Sequence, residues 1–369
     1  MDNLRSTEPP QLSRGLMILL AAAVFVMAAA MHYQTPILPE FGREFALGPA
    51  EVGLIATLCF AGFLTGNAFL VPLGDVMDKK QLILAKLAGL IVMQIVIGTA
   101  ASYGVLLAAS FLTGICSSVS QDVVPLVSGL ASGTDRGKAV GTVLSGLFMG
   151  ILFGRVGGGF IADRFGWRWI YAMSVVLLAI VFIALWRRLP RAAPRMAMPY
   201  GALMRSLVAL YSARADVRRA STTQFLLGIA YGGFWATLAP MFAAVHQLGP
   251  QAAGLVGIPG AAGILLARPA GRMMDRRGAR PVVLGGAALV LCAYIVFGGA
   301  ALSIAAVVVG AALLDSGLRA AMVANQAMVT GADAETRSRA NSLLASTRSR
   351  AEVAHEHPGN RRHAPGGDR

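Results

Sequence analysis

Charge is scarce in this sequence. Only 14% of its 369 residues are charged, against 56% hydrophobic, and the mean hydropathy is +0.64. A water-soluble globule is typically about one quarter charged, so the shortage argues against an ordinary soluble domain and for a chain that faces lipid. Cysteine is scarce too. Cys59, Cys116 and Cys292 all lie inside apolar runs, so neither a disulfide nor a metal site is expected. Enzyme signatures are missing: there is no GxSxG, HExxH or Walker loop, and the ionisable residues of the apolar runs are scattered rather than clustered. No enzyme and no cofactor is expected. The lack of a short re-entrant filter segment disfavours a channel. The net charge of +14 would suit nucleic acid, but the arginines sit in short loops between apolar runs, which favours membrane topology and no nucleic-acid partner.

What is present is a series of apolar runs near the length of about 20 residues that a bilayer requires. After a polar N-tail (1–14), the first half offers Gly15–Leu38, Val52–Leu73, Leu82–Ala101, Gly104–Ala131, Ala139–Ala162 and Trp169–Trp186. The first run is too long for a signal-peptide core and reads as an uncleaved span. The segment 187–219 then carries Arg187, Arg188, Arg191, Arg195, Arg205, Arg214, Arg218 and Arg219 against a single Asp216. Its Pro190, Pro194 and Pro199 break up helix, so it reads as a linker between a six-helix bundle (15–186) and a second bundle. Four more spans follow: Ala220–Val245, Ala252–Ala270, Pro281–Ala300 and Leu302–Thr330. Lys79, Lys80, Arg136, Lys138, the linker, Arg272, Arg276, Arg277 and Arg280 all fall on one side, which the positive-inside rule makes cytoplasmic together with the N-terminus.

The halves repeat one another. Gly271–Arg280 reads GRMMDRRGAR, and a weaker copy, VPLGDVMDKK, occupies Val71–Lys80, so that Asp275 stands two hundred positions after Asp75. Thr134–Ala139 finds its counterpart in Glu335–Ala340, and the hinge Ala101–Tyr103 in Ala301–Ser303. Span five starts at Ala139, so an eleventh span should start near Ala340. From Thr347 the chain instead reads TRSRAEVAHEHPGNRRHAPGGDR. The expectation is a second bundle (220–346) of four spans plus the start of a fifth, cut short by truncation or frame-shift and followed by a disordered polar tail (347–369). The other reading is an ordinary polar tail on a ten-span protein.

The loop Gly271-x3-Asp275-Arg276-x-Gly278-x-Arg280 resembles the signature of the major facilitator superfamily, and the resemblance runs over roughly residues 15–346. The first-half loop departs from it at Val71, Val76 and Asp78, while Asp75, Lys79 and Lys80 survive. Span five carries Gly146, Gly150, Gly154, Arg155, Gly158 and Gly159, similar to that family's antiporter motif with Arg155 where Pro is usual. Glycine at every fourth position also lets helices pack backbone to backbone. The pattern is nearest to bacterial proton-coupled drug or sugar efflux permeases. The resemblance implies an all-α polytopic protein of two bundles in the inner membrane, monomeric, with a small-molecule substrate and protons as partners. It further implies gating loops in which Asp75 and Asp275 each face a helix N-terminus of the opposite half, span eleven and span five respectively, a contact worth about 0.3–1 kcal/mol. A non-transporting remnant of such a carrier is the alternative.

Charges inside a membrane are expensive and tend to be functional. Asp122, Arg155, Arg268, Asp315 and Arg319 lie well within spans. Asp315 and Arg319, four apart, can pair on one helix face. Arg155 either attracts an anionic substrate or neutralises a carboxylate on a neighbouring helix; Arg268 does the same or snorkels, as Lys86 is expected to do from one turn into span three. Asp122 is the candidate proton carrier. His32, in the sequence His32-Tyr33-Gln34, is either a second titrating group or an interfacial residue. Tyr231 and Trp235 in span seven either line the cavity or belong to an aromatic belt.

Overall fold

In hydrocarbon a backbone has no water to bond to, so apolar runs of this length close their own hydrogen bonds as helices. A computed structural model describes residues 12–131, 135–191, 199–260, 269, 272–274 and 276–325, and no strand occurs among them. Nine helices among the described residues are long and apolar enough to cross a membrane. The first half supplies α1 (Arg14–Glu44), α2 (Pro49–Val76), α3 (Lys79–Gly98), α4 (Tyr103–Leu130), α5 (Arg136–Phe165) and α6 (Trp167–Arg188). After α7 (Tyr200–Ala213), the second half supplies α8 (Ala215–His246), the short α9 (Pro250–Leu255) with the turn Gly257–Gly260, then α10 (Ala279–Phe297) and α11 (Ile304–Asn325). The chain is an all-α membrane protein of two helix bundles. Most of the eighth expected span, the start of the eleventh and the polar tail lie outside the described residues.

Local chemistry fixes where these helices begin. The Ser13 hydroxyl accepts from the Leu16 N–H at 3.2 Å, the Glu51 carboxylate from the Gly48 N–H at 2.7 Å, and the Asp78 carboxylate from the Lys80 N–H at 2.9 Å. Gly48-Pro49 opens α2 and Gly249-Pro250 opens α9, proline standing where its missing N–H costs nothing. Asp78 precedes α3 and Gly278, at φ 81°, precedes α10.

One departure concerns the segment 187–219, expected to be broken by its prolines. It contains α7, because Pro190, Pro194 and Pro199 all precede Tyr200, and Pro199 sits at the helix's N-cap. Proline stops a helix from within but is harmless at its start. The Tyr200 hydroxyl donates to the Phe69 carbonyl at 2.7 Å and ties α7 to α2.

The first bundle packs around α1, whose Val24, Met27, Ile37 and Phe41 meet Leu87, Leu90 and Ile170 in one buried cluster. A smaller cluster in the second half centres on Trp235, Phe242, Ala293 and Leu314. The α1–α5 seam is closed by glycine. A Cβ on Gly146, Gly150 or Gly154 would stand 2.4, 2.2 and 2.7 Å from the carbonyl oxygens of Ala21, Phe25 and Ala29, nearer than any real Cβ approaches. Gly158 packs on Tyr33.

Candidate functional site

The halves close on each other where α5 meets α9, towards the end away from segment 187–219. A Cβ on Gly159 would come within 2.4 Å of the Pro250 carbonyl oxygen, and one on Gly254 within 2.4 Å of the Arg155 carbonyl oxygen. The fifth-helix glycines therefore serve two seams, α1 on one face and the opposite half on the other.

Just inside this seam lies a closed crevice, with no room for a water molecule, lined by Thr35, Pro36, Arg155, Trp235, Leu238, Ala239 and Ala253. Arg155 is 3% exposed. Its guanidinium carbon lies 3.4 Å from the centre of a Trp235 ring, and its Nη2 donates to the Tyr231 hydroxyl at 2.9 Å. Nε of Arg155 and Nε1 of Trp235 are buried without a hydrogen-bond partner among the described residues. Aromatic faces and a phenol hold this cation; no carboxylate does so among the described residues. Tyr231 and Trp235 thus stand at the junction of the halves and not in an interfacial belt.

His32 and the Asp315–Arg319 pair belong to the same region. His32 is buried, and its Nδ1–H donates to the Ala28 carbonyl at 2.8 Å. Arg155 and Arg319 both lie within electrostatic reach of it. Asp315 accepts from Nε of Arg319 at 2.6 Å, and the Arg319 guanidinium stacks on Phe148 of α5 at 4.3 Å. Tyr33 is buried, and Gln34 approaches Cys59.

A second charged centre lies within the first bundle. Lys86 is not snorkelling: its Nζ donates to Asp122 Oδ2 at 2.6 Å, with side chains 3% and 4% exposed. The helix boundary is the reason. The apolar run begins at Leu82, but the Asp78 cap starts α3 at Lys79, which places Lys86 two turns in, about 10 Å along the axis. Asp75 and the buried Lys79 lie within electrostatic reach of Asp122, and Gly74 packs beside it, so the pair sits under the 71–80 loop. Lys80 is half-buried. Of the second signature loop, Arg276, Gly278 and Arg280 are exposed; Gly271, Asp275 and Arg268 lie outside the described residues, as does the N-terminus of span eleven that Asp75 was expected to face.

Two helical bundles with ionised groups gathered between them define a membrane carrier of solutes. The chain belongs to the major facilitator superfamily: that family's profile matches residues 20–352. Members are transporters, not enzymes. It is 31% identical to the uncharacterized transporter YgaY of Escherichia coli O157:H7 over 89% of this chain and 84% of that one. It is 26% identical to the multidrug resistance protein MdtG of Klebsiella pneumoniae over 43% of this chain and 40% of that one. Its fold matches a bacterial homologue of the human lysosomal transporter Spinster, in an inward-facing, unoccupied conformation. That match has a TM-score of 0.69 and 16% identity, and covers 85% of this chain and 74% of that one.

Proposed function

We propose that this chain is a secondary active transporter that exports a small molecule by alternating access, driven by proton entry. One observation carries the reading: ionised side chains, which hydrocarbon expels, are buried at two places, Arg155 in the crevice between the halves and the Lys86–Asp122 pair. The first is where two rocking bundles would hold a solute. The second is where a proton would be exchanged. Protonating Asp122 removes the counter-charge of Lys86, and a buried ammonium without a partner is costly. Proton uptake at Asp122 therefore drives Lys86 towards water or towards Asp75 of the overlying loop, loosening it.

Residues 15–186 and 220–346 form the two rocking units and 187–219 joins them. The asymmetry of Lys and Arg supports an N-terminus and linker on the cytoplasmic side of the inner membrane. The α5–α9 seam then closes the outer face and marks an inward-facing state. The gating loops 71–80 and 271–280 act at the cytoplasmic face, and the unit is a monomer. The 26% identity to a multidrug resistance protein supports efflux.

The test uses everted vesicles carrying the full chain, energised so that the lumen is acid and followed with a pH-sensitive dye. Adding members of a panel of drugs and metabolites is expected to release luminal protons for at least one compound. Asp122→Asn, inserted at equal level, is expected to abolish that release. Silence of the wild-type chain towards the whole panel contradicts the reading and favours a non-transporting remnant.

A further inference from the structure

We infer that the crevice around Arg155 is a binding site for the acidic group of the transported solute, which makes that solute an organic anion bearing a carboxylate, sulfonate or phosphate. The inference rests on the transport reading above and adds the substrate class to it.

The first ground is charge. Arg155 is 3% exposed, and among the described residues its partners are a phenol hydroxyl and an indole face. A guanidinium does not lose its proton in proteins, so the region keeps one positive charge that nothing described neutralises. Asp315 and Arg319, outside the crevice lining, bind each other and cancel. His32 adds no negative charge, and its Nδ1 is already engaged by Ala28. Keeping an unpaired cation at membrane depth is expensive, and the acidic group of a bound solute would supply the missing counter-charge.

The second ground is the direction of the donors. Stacking on Trp235 occupies the flat face of the guanidinium and leaves its edge, where the N–H groups lie in plane. Tyr231 takes one donor on Nη2. Nε has no partner among the described residues although it is buried. That edge is the fork which matches two oxygens of a carboxylate, sulfonate or phosphate.

The third ground is place. Thr35, Pro36 and Arg155 come from the first half; Trp235, Leu238, Ala239 and Ala253 come from the second. The crevice is closed in this arrangement, with no room for a water molecule, so an anion would reach Arg155 only as the halves part, and would then touch both.

The experiment measures thermal stabilisation of the purified, detergent-solubilised full chain by benzoate, benzenesulfonate and phenyl phosphate against benzamide and benzylamine. At least one of the three anions is expected to raise the unfolding temperature saturably, while the neutral and cationic analogues do not. Arg155→Gln is expected to weaken that binding by about tenfold or more, and Arg155→Lys, which keeps charge but loses the fork, by less. If the glutamine variant fails to fold, the lysine variant and the wild-type preference for anions still decide. Equal stabilisation by benzylamine, no response to any anion, or unchanged affinity in Arg155→Gln each overturns the inference. Counterflow of the same compounds in proteoliposomes separates the two readings: anion binding without flux would sink transport and leave the site, whereas flux of cations alone would sink the site and leave transport.

Discussion

Lys86 and Asp122 stand on different helices with their charged atoms 2.6 Å apart and almost no exposure. Such a pair is not itself strong evidence of stability, because desolvating two ions offsets most of their attraction. Breaking it is another matter. Lys86→Met or Asp122→Leu alone would strand one buried charge and is expected to cost about 3–5 kcal/mol, whereas the double change removes both charges and should recover most of the loss. Unfolding of the four proteins in detergent checks this; single changes as mild as the double one would contradict it. The double variant should fold yet carry no protons if Asp122 is the carrier. The sequence shows Asp122 as a membrane-depth acid but hides its partner, since α3 starts three residues before the apolar run does. The Arg155–Trp235 stack was equally hidden: its members are eighty positions apart in different halves, and only packing brings them together.

At the scale of one helix, α5 is the hub. Its glycine spacing was visible in the sequence, and so was close backbone packing; which helices it packs against was not. Gly146, Gly150 and Gly154 face α1, Gly159 faces α9, and Gly141 faces nothing within 4 Å. Gly150→Leu should therefore force α1 and α5 apart and destabilise by about 1–3 kcal/mol or prevent folding, while Gly141→Ala should be neutral or slightly stabilising through helix propensity. Expression level and unfolding temperature of the two variants check the contrast. Equal effects at both positions would remove the packing role assigned to the stripe. The spans themselves were legible because hydrocarbon imposes both length and apolarity on a helix. Helix α7 was not, because its exposed face mixes Leu207, Val208 and Leu210 with Arg205, and the prolines of the segment precede the helix rather than fall within it.

Over the whole molecule, the repeat seen in the sequence reappears in the helix openings. Gly48-Pro49 and Gly249-Pro250 begin α2 and α9, and Asp78 and Gly278 cap α3 and α10. Halves that meet at one end, with Arg155 in a crevice just inside the seam, suit the rocking proposed above. The most direct measurement is a pair of spin-label distances on the full chain with its native cysteines replaced. One pair, Arg164→Cys with Gln247→Cys, reports the closed end; the other, Lys138→Cys with Arg277→Cys, reports the linker end, all four positions being exposed. Alternating access predicts reciprocal change when the medium is acidified or a bound solute is added: the first distance lengthens as the second shortens. Distances that stay fixed under every condition, or that lengthen together, would contradict it.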